Sequence, residues 1–256
     1  MALGAKKHLE TAEQVGRRSL SLLARLGRHE FATLLSVLVL SGGIWGFVEL
    51  AEEVSEGDTQ SIDETLLLAL RNPVDNADPL GPGWVEELGR DFTALGGVGV
   101  LVLVMLGTLG YLMLARRYRA ALFASVAVPG GILLSTLMKM GFDRPRPDLV
   151  PHDSLVYTAS FPSGHAMMSA VTYLTLAALL TRVHPELRLK AYILVLAILL
   201  TLLVGVSRVY LGVHWPTDVL AGWTAGAAWA ALCWLVMRWM QLRGKVETEE
   251  SWSGTD

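Results

Sequence analysis

The chain has a single cysteine, Cys233, and it lies inside an apolar run. No intramolecular disulfide can form, and Cys233 reads as a small core residue. Charge is scarce too. Only 18% of the 256 residues are charged, and the net charge is −3. That balance lacks the basic surface that a nucleic-acid partner needs, so no nucleic acid is expected. No internal repeat and no low-complexity segment stands out. The N-terminal 30 residues lack the early apolar stretch of a cleaved signal peptide. They carry Lys6, Lys7, Arg17, Arg18, Arg25 and Arg28 instead. They read as a cytoplasmic basic tail or an interfacial amphipathic helix.

What the chain has is apolar length. Hydrophobic residues make up 52% of it, and the mean hydropathy is +0.45. Several runs approach or exceed the roughly 20 residues that cross a bilayer core. Six spans are expected, at 31–50, 94–114, 120–138, 164–181, 190–206 and 218–238. The expected fold is therefore all-α: a bundle of six transmembrane helices over 31–238, with a polar cytoplasmic tail at 239–256. The loop at 51–93 is the longest connection. Ser61 to Glu64 reads as a capping box ahead of a short helix to about Arg71, and Trp84 to Phe92 as a second one. Trp223, Trp229, Trp234 and Trp239 fall in the last span, some at headgroup level. Ala221, Gly222, Ala225, Gly226 and Ala227 suit close helix packing.

Lysine and arginine set the orientation. With the N-terminus inside, fifteen cations are cytoplasmic and six are outside. Four of the six are Lys139, Arg144, Arg146 and Arg208. Only Arg71 and Arg90 remain without a role. Both termini are thus expected in the cytoplasm, with loop 51–93 outside as a partial cover.

Those four cations belong to three polar clusters at span ends. Ionisable groups at such places are expensive and point to function. The first cluster is KMGFDRPRP, Lys139 to Pro147. Its prolines stiffen the segment holding Arg146, and an arginine fork beside a lysine suits phosphate oxygens or, alternatively, lipid headgroups. The second is PSGH, Pro162 to His165. Ser163 is an N-cap candidate, Gly164 lets an anion approach the backbone, and the free N–H groups of the first turn favour an anion beside His165. The third is SRVYLGVHWPTD, Ser207 to Asp218. Asp218 follows His214 by four residues, close enough to fix the ring's tautomer, although a capping pair has the same spacing. No H-E-x-x-H and no paired-carboxylate metal site is visible in the clusters, so neither metal nor cofactor is expected.

In order, K-x6-R-P, PSGH and S-R-x5-H-x3-D resemble the three-part signature of the type 2 phosphatidic acid phosphatase superfamily, and the spans resemble its bacterial six-span members. The match covers 139–218 directly. Arg144 makes a second R-P pair, but only Arg146 has the signature spacing from Lys139. The resemblance implies a lipid phosphatase working through a phosphohistidine on His214, with Asp218 orienting it and His165 as acid and base. It implies that Lys139, Arg146, Ser163, Gly164 and Arg208 bind the phosphoryl group. The expected partners are the bilayer and a lipid phosphate or diphosphate, with undecaprenyl diphosphate, phosphatidylglycerol phosphate and phosphatidic acid all used in the family. The expected location is a bacterial inner membrane, with the site facing the periplasm or exterior. A lipid-to-lipid phosphotransferase would use the same residues. A transporter would place its charges near the midplane rather than at span ends.

Overall fold

The computed structural model describes residues 30–150, 159–183 and 186–246. The N-terminal segment at 1–29, read above as a tail or interfacial helix, lies outside the described residues. Eight helices and no strand occur among those described. They are α1 Glu30–Glu56, α2 Gln60–Leu68, α3 Gly83–Ala94, α4 Val98–Leu114, α5 Tyr118–Lys139, α6 Gly164–Val183, α7 Leu187–Tyr210 and α8 Pro216–Leu242. Five of them, α1 and α5 to α8, are long and apolar enough to cross a membrane. The sixth crossing is α3 and α4 taken together, bent by 54°. This is a multi-pass membrane protein.

Among the helix boundaries that differ from the sequence reading, three have clear local reasons. Glu52, Glu53 and Glu56 extend α1 beyond residue 50, because glutamate is a good helix former where the helix leaves the apolar layer. The second span does not run unbroken from 94; the chain turns at 95–97 before α4 begins. The helix α8 continues past 238 and carries Trp239 with it.

The capping box at Ser61 is a correction. The α2 helix begins two residues earlier, with Thr59 instead of Ser61 in the cap position and no side-chain cap. Glu64 accepts from Gln60 Nε2 at 2.8 Å instead of reaching back to a backbone amide. Asp63, one residue before it, points inward and is fully buried.

The helix α6 is the hub, packed against α5, α7 and α8. Its seam with α8 depends on small residues. A Cβ on Gly226 would stand 2.4 Å from Ala170 Cβ, so only glycine allows this approach. Alanines 120, 121 and 124 of α5 play the same part against Leu176 and Leu179. Trp223 and Trp229 are packing groups rather than headgroup anchors: their ring N–H groups donate to Thr201 O at 3.1 Å and Ala127 O at 2.9 Å. The helix α1 is peripheral. It meets the rest through Gly43 beside Thr224 and Ala228, and through Phe47 against Phe142 and Phe161.

Candidate active site

The antiparallel order of α5 to α8 brings four helix ends together. Lys139 closes α5, Gly164 opens α6, Arg208 lies in the last turn of α7, and Pro216 opens α8. All three sequence clusters therefore share one end of the bundle, the end that also holds α2 and α3.

The nucleophile candidate comes from a short turn. After α7 the chain reverses at Gly212, whose φ of +72° suits glycine. A Cβ there would also meet Val150 at 2.4 Å and Arg71 Nη2 at 2.6 Å. His214 follows, 1% exposed. Its Nδ1 lies 3.3 Å from Asp218 Oδ2. That oxygen also accepts the Trp215 N–H at 3.0 Å and the Ser160 hydroxyl. Asp218 thus both caps the first turn of α8 and faces the ring, so the two alternatives for this spacing coexist. A carboxylate that accepts from every other neighbour leaves the proton on Nδ1 and the lone pair on Nε2. Burial pushes the His214 pKa down to about 3 against the pull of Asp218, so the ring is neutral near pH 7.

Nε2 faces the cations. Arg146 Nη1 lies 3.2 Å from it and donates to Val213 O at 2.7 Å. The 142–148 segment has no regular structure. It is held by Phe142 against Phe161 at 4.7 Å and by Trp215 Nε1 donating to Pro145 O at 3.0 Å. Lys139 Nζ donates to Ala159 O at 2.9 Å, and its Cε comes within 3.2 Å of where a Gly164 Cβ would stand. Arg208 Nη1 donates to Thr93 Oγ1 at 2.9 Å. Half-buried His165 feels the charges of Arg208, Lys139 and Arg146, and the corner at Gly96 packs over it.

Ser163 occupies the position before α6, but its hydroxyl does not cap the helix. Its backbone does the bonding: the N–H donates to Asp218 O at 2.9 Å, and the carbonyl accepts from Met167 at 2.9 Å. Ser163 Oγ and Arg208 Nε are buried and have no partner in the protein. Such atoms are rare in folded proteins and need a reason. Here both belong to side chains that the sequence assigned to an anion. Beside them a cavity of about 510 Å³ opens between α5 and α6, lined by Ser135, Thr136, Lys139, Phe142, Gly164 and Met168 among others.

Several residues at this site escaped the sequence reading. Arg144 is not a spare R-P pair: it donates to Asp218 Oδ1 at 2.7 Å and to Asp63 Oδ2 at 2.7 Å. Ser160, Thr93, Thr217 and Asp63 were not assigned. Arg71 is not an idle outer cation. It is 3% exposed, and its Nη2 donates to Tyr210 O at 2.8 Å, at the end of α7. Its signal was an arginine at the end of an apolar LLLAL run. The others carried no local signal.

The profile of the PAP2 superfamily matches residues 117–242, which hold every site residue expected from the sequence. Phosphatidylglycerophosphatase B of Bacillus subtilis is 32% identical over 186 residues, spanning 70% of this chain and 85% of that one. The chain belongs to the PAP2 superfamily. An undecaprenyl-diphosphatase of Sulfolobus acidocaldarius is 46% identical over a shorter stretch of 68 residues, 27% of this chain and 29% of that one. Among solved structures, a transmembrane PAP2-type phosphatidylglycerolphosphate phosphatase from Bacillus subtilis matches with a TM-score of 0.66 and 26% identity, over 80% of this chain and 97% of that one. The PAP2 profile begins after Asp63, Arg71 and Thr93, so α2 and α3 bring residues to the site from outside it.

Proposed function

We propose that this PAP2 protein is a membrane lipid phosphatase that removes a phosphoryl group through His214. The observation that carries the reading is His214 Nε2 facing Arg146 Nη1 at 3.2 Å, with Ser163 Oγ and Arg208 Nε buried and unpartnered in the same cluster. Phosphoryl transfer asks mainly for positioning and for charge at the equatorial oxygens. Lys139, Arg146, Arg208, Ser163 and the Gly164 backbone supply both. The Nε2 lone pair attacks phosphorus, and the bond from phosphorus to the lipid oxygen breaks. Asp218 stabilises the ring as it gains positive charge. His165 gives a proton to the leaving oxygen, then takes one from water as that water attacks. The N–P bond breaks, phosphate leaves, and His214 is neutral again.

The substrate class is a lipid phosphate or diphosphate. The cavity between α5 and α6 has a mainly apolar lining that runs up to Lys139, which suits a lipid tail with its headgroup at the cations. Names of relatives range over phosphatidylglycerophosphatase and undecaprenyl-diphosphatase, and they do not select one lipid. A lipid phosphate radiolabelled in its phosphoryl group tests the chemistry, with the reaction quenched in alkaline detergent because the N–P bond of a phosphohistidine is cleaved by acid. Label should be retained on the wild type and on His165→Ala, and be missing from His214→Ala. Label retained on His214→Ala would overturn the assignment.

We place the site at the outer face of the cytoplasmic membrane, with both termini inside. The split of fifteen cations against six supports this, and four of the six belong to the site. With Cys233 replaced, a cysteine at 72–83 should react with an impermeant thiol reagent in intact cells or spheroplasts. A cysteine near Arg117 should not. The reverse pattern would invert the topology.

A further inference from the structure

We propose that Asp63 and Arg144 are positioning residues for His214, acting through Asp218; this rests on the reading of His214 as nucleophile. Asp218 uses its two oxygens differently. Oδ2 faces the imidazole, while Oδ1 takes Arg144 Nη1 at 2.7 Å. Arg144 then spans to α2: its Nη2 donates to Asp63 Oδ2 at 2.7 Å and to Thr59 Oγ1 at 3.3 Å. Asp63 closes the loop back to α8. Its Oδ1 accepts the Thr217 N–H at 2.9 Å, and its Oδ2 accepts the Thr217 hydroxyl at 2.5 Å. That hydroxyl in turn accepts from Arg144 Nη1 at 2.8 Å. Both carboxylates are fully buried.

The charge sequence explains why two carboxylates are needed. Arg144 paired with Asp218 alone would cancel the negative charge that faces His214. Asp63 shares the guanidinium, so the trio keeps one net negative charge. That charge faces the ring and favours it most when the imidazole becomes positive, as it does once Nε2 is phosphorylated. Low local dielectric makes this worth more than the same charges would be in water. The geometry agrees with the electrostatics. Asp63 holds the Thr217 N–H and Asp218 holds the Trp215 N–H, so two carboxylates fix the turn that carries His214 from opposite sides. Asp63 is 154 positions from Thr217, on a helix outside the PAP2 match.

The test separates rate from folded fraction. The full-length protein in detergent is mixed with a labelled short-chain phosphatidic acid and quenched on the millisecond scale. For Asp63→Asn the phosphoenzyme should form about 10- to 100-fold more slowly at unchanged amplitude per folded protein, with KM within about threefold. Asp63→Glu should recover part of the rate. Arg144→Lys keeps one charge but loses the two-sided fork, and should slow the same step about tenfold. If Asp63→Asn does not fold, Arg144→Lys decides alone. A lower amplitude at the wild-type rate constant would make the network structural only and overturn the proposal. Absence of label on wild-type His214 would overturn the nucleophile reading, and this inference with it. A labelled wild type with unaltered variants would overturn this inference alone.

Discussion

At one end of the bundle Arg144, Arg146 and Arg208 donate to carboxylates, a carbonyl and hydroxyls within 2.7–2.9 Å. At the other end Arg182 and Arg243 lie over Trp234 and Trp239, with ring distances of 4.3 and 4.2 Å. Arg238 and Lys245 add looser contacts with the same two rings, at 5.8 and 5.5 Å. Residue types are shared, yet the environments differ, most of all for Arg243 and Lys245; Arg182 also has one short bond, donating to Gln241 Oε1 at 2.7 Å. The first set is buried or nearly so and fixed by short, directional bonds. Arg243 and Lys245 are exposed and rest on flat faces that constrain their position weakly. Charge used to stabilise a reacting group must be held in place beforehand. Charge used to seat a helix end at the headgroups need only be nearby.

The sharpest way to break this contrast is to remove a fixed cation. Arg146→Ala deletes the group between Val213 O and His214 Nε2. Release of phosphate from a short-chain phosphatidic acid should fall about a thousandfold in kcat/KM, the range for losing a preorganised charged donor. Arg146→Lys should recover only part, because a point charge cannot serve both the carbonyl and a phosphate oxygen as the fork does. Retention of activity within tenfold in Arg146→Ala would mean that the two ends are alike after all.

The same contrast explains what the sequence could show. Each site cluster is local: a lysine ending a span, a PSGH opening one, a histidine four residues before an aspartate. Helix ends force such residues to neighbour one another, so the antiparallel bundle places them together without further information. What was not legible is carried by pairs distant in sequence. Asp63 and Arg144 are 81 positions apart, and Arg208 and Thr93 are 115 apart. Nothing within one helical turn of Asp63 marks it as a buried counter-charge; it fell between Ser61 and Glu64, the two residues read as a capping box. The bend at 95–97 was missed for a related reason. Residues 94–114 read as one unbroken apolar span, while the chain turns at 95–97 to lay Gly96 over His165 and Val204. The tryptophans divide likewise. Position along α8 decides that Trp223 and Trp229 meet backbone carbonyls while Trp234 and Trp239 meet arginines.

A second test turns on protonation. His214 has a folded pKa of about 3 against an ordinary value of 6.5. The unfolded chain therefore binds a proton that the folded one rejects between these values. This group costs nothing above pH 6.5, and it destabilises the fold increasingly as pH falls toward 3. At pH 5 the cost is about 2 kcal/mol, from 1.36 kcal/mol per pH unit over the interval below 6.5. His214→Gln lacks the titration. Its thermal midpoint should lose several degrees less than the wild type between pH 7 and pH 5. Parallel losses in the two proteins would mean that His214 is accessible to protons in the folded state, and the neutral-nucleophile argument would fall.

The smallest effect belongs to the opposite end. Arg243 sits 4.2 Å from the centre of the Trp239 ring, just after the last residue of α8, and both side chains are exposed. An exposed pair of this kind contributes about 0.5–1 kcal/mol. Arg243→Ala should lower the thermal midpoint slightly and change kcat/KM less than about twofold, because no bonded chain connects it to His214. The double mutant with Trp239→Ala shows whether the stack is a real coupling. If it is, the two losses should fall short of additive by about the same 0.5–1 kcal/mol. Strict additivity would reduce the stack to proximity. A loss of activity above tenfold would be more serious. It would mean that the two ends are coupled through α8, the 27-residue helix that has Asp218 in its first turn and Arg243 just past its end.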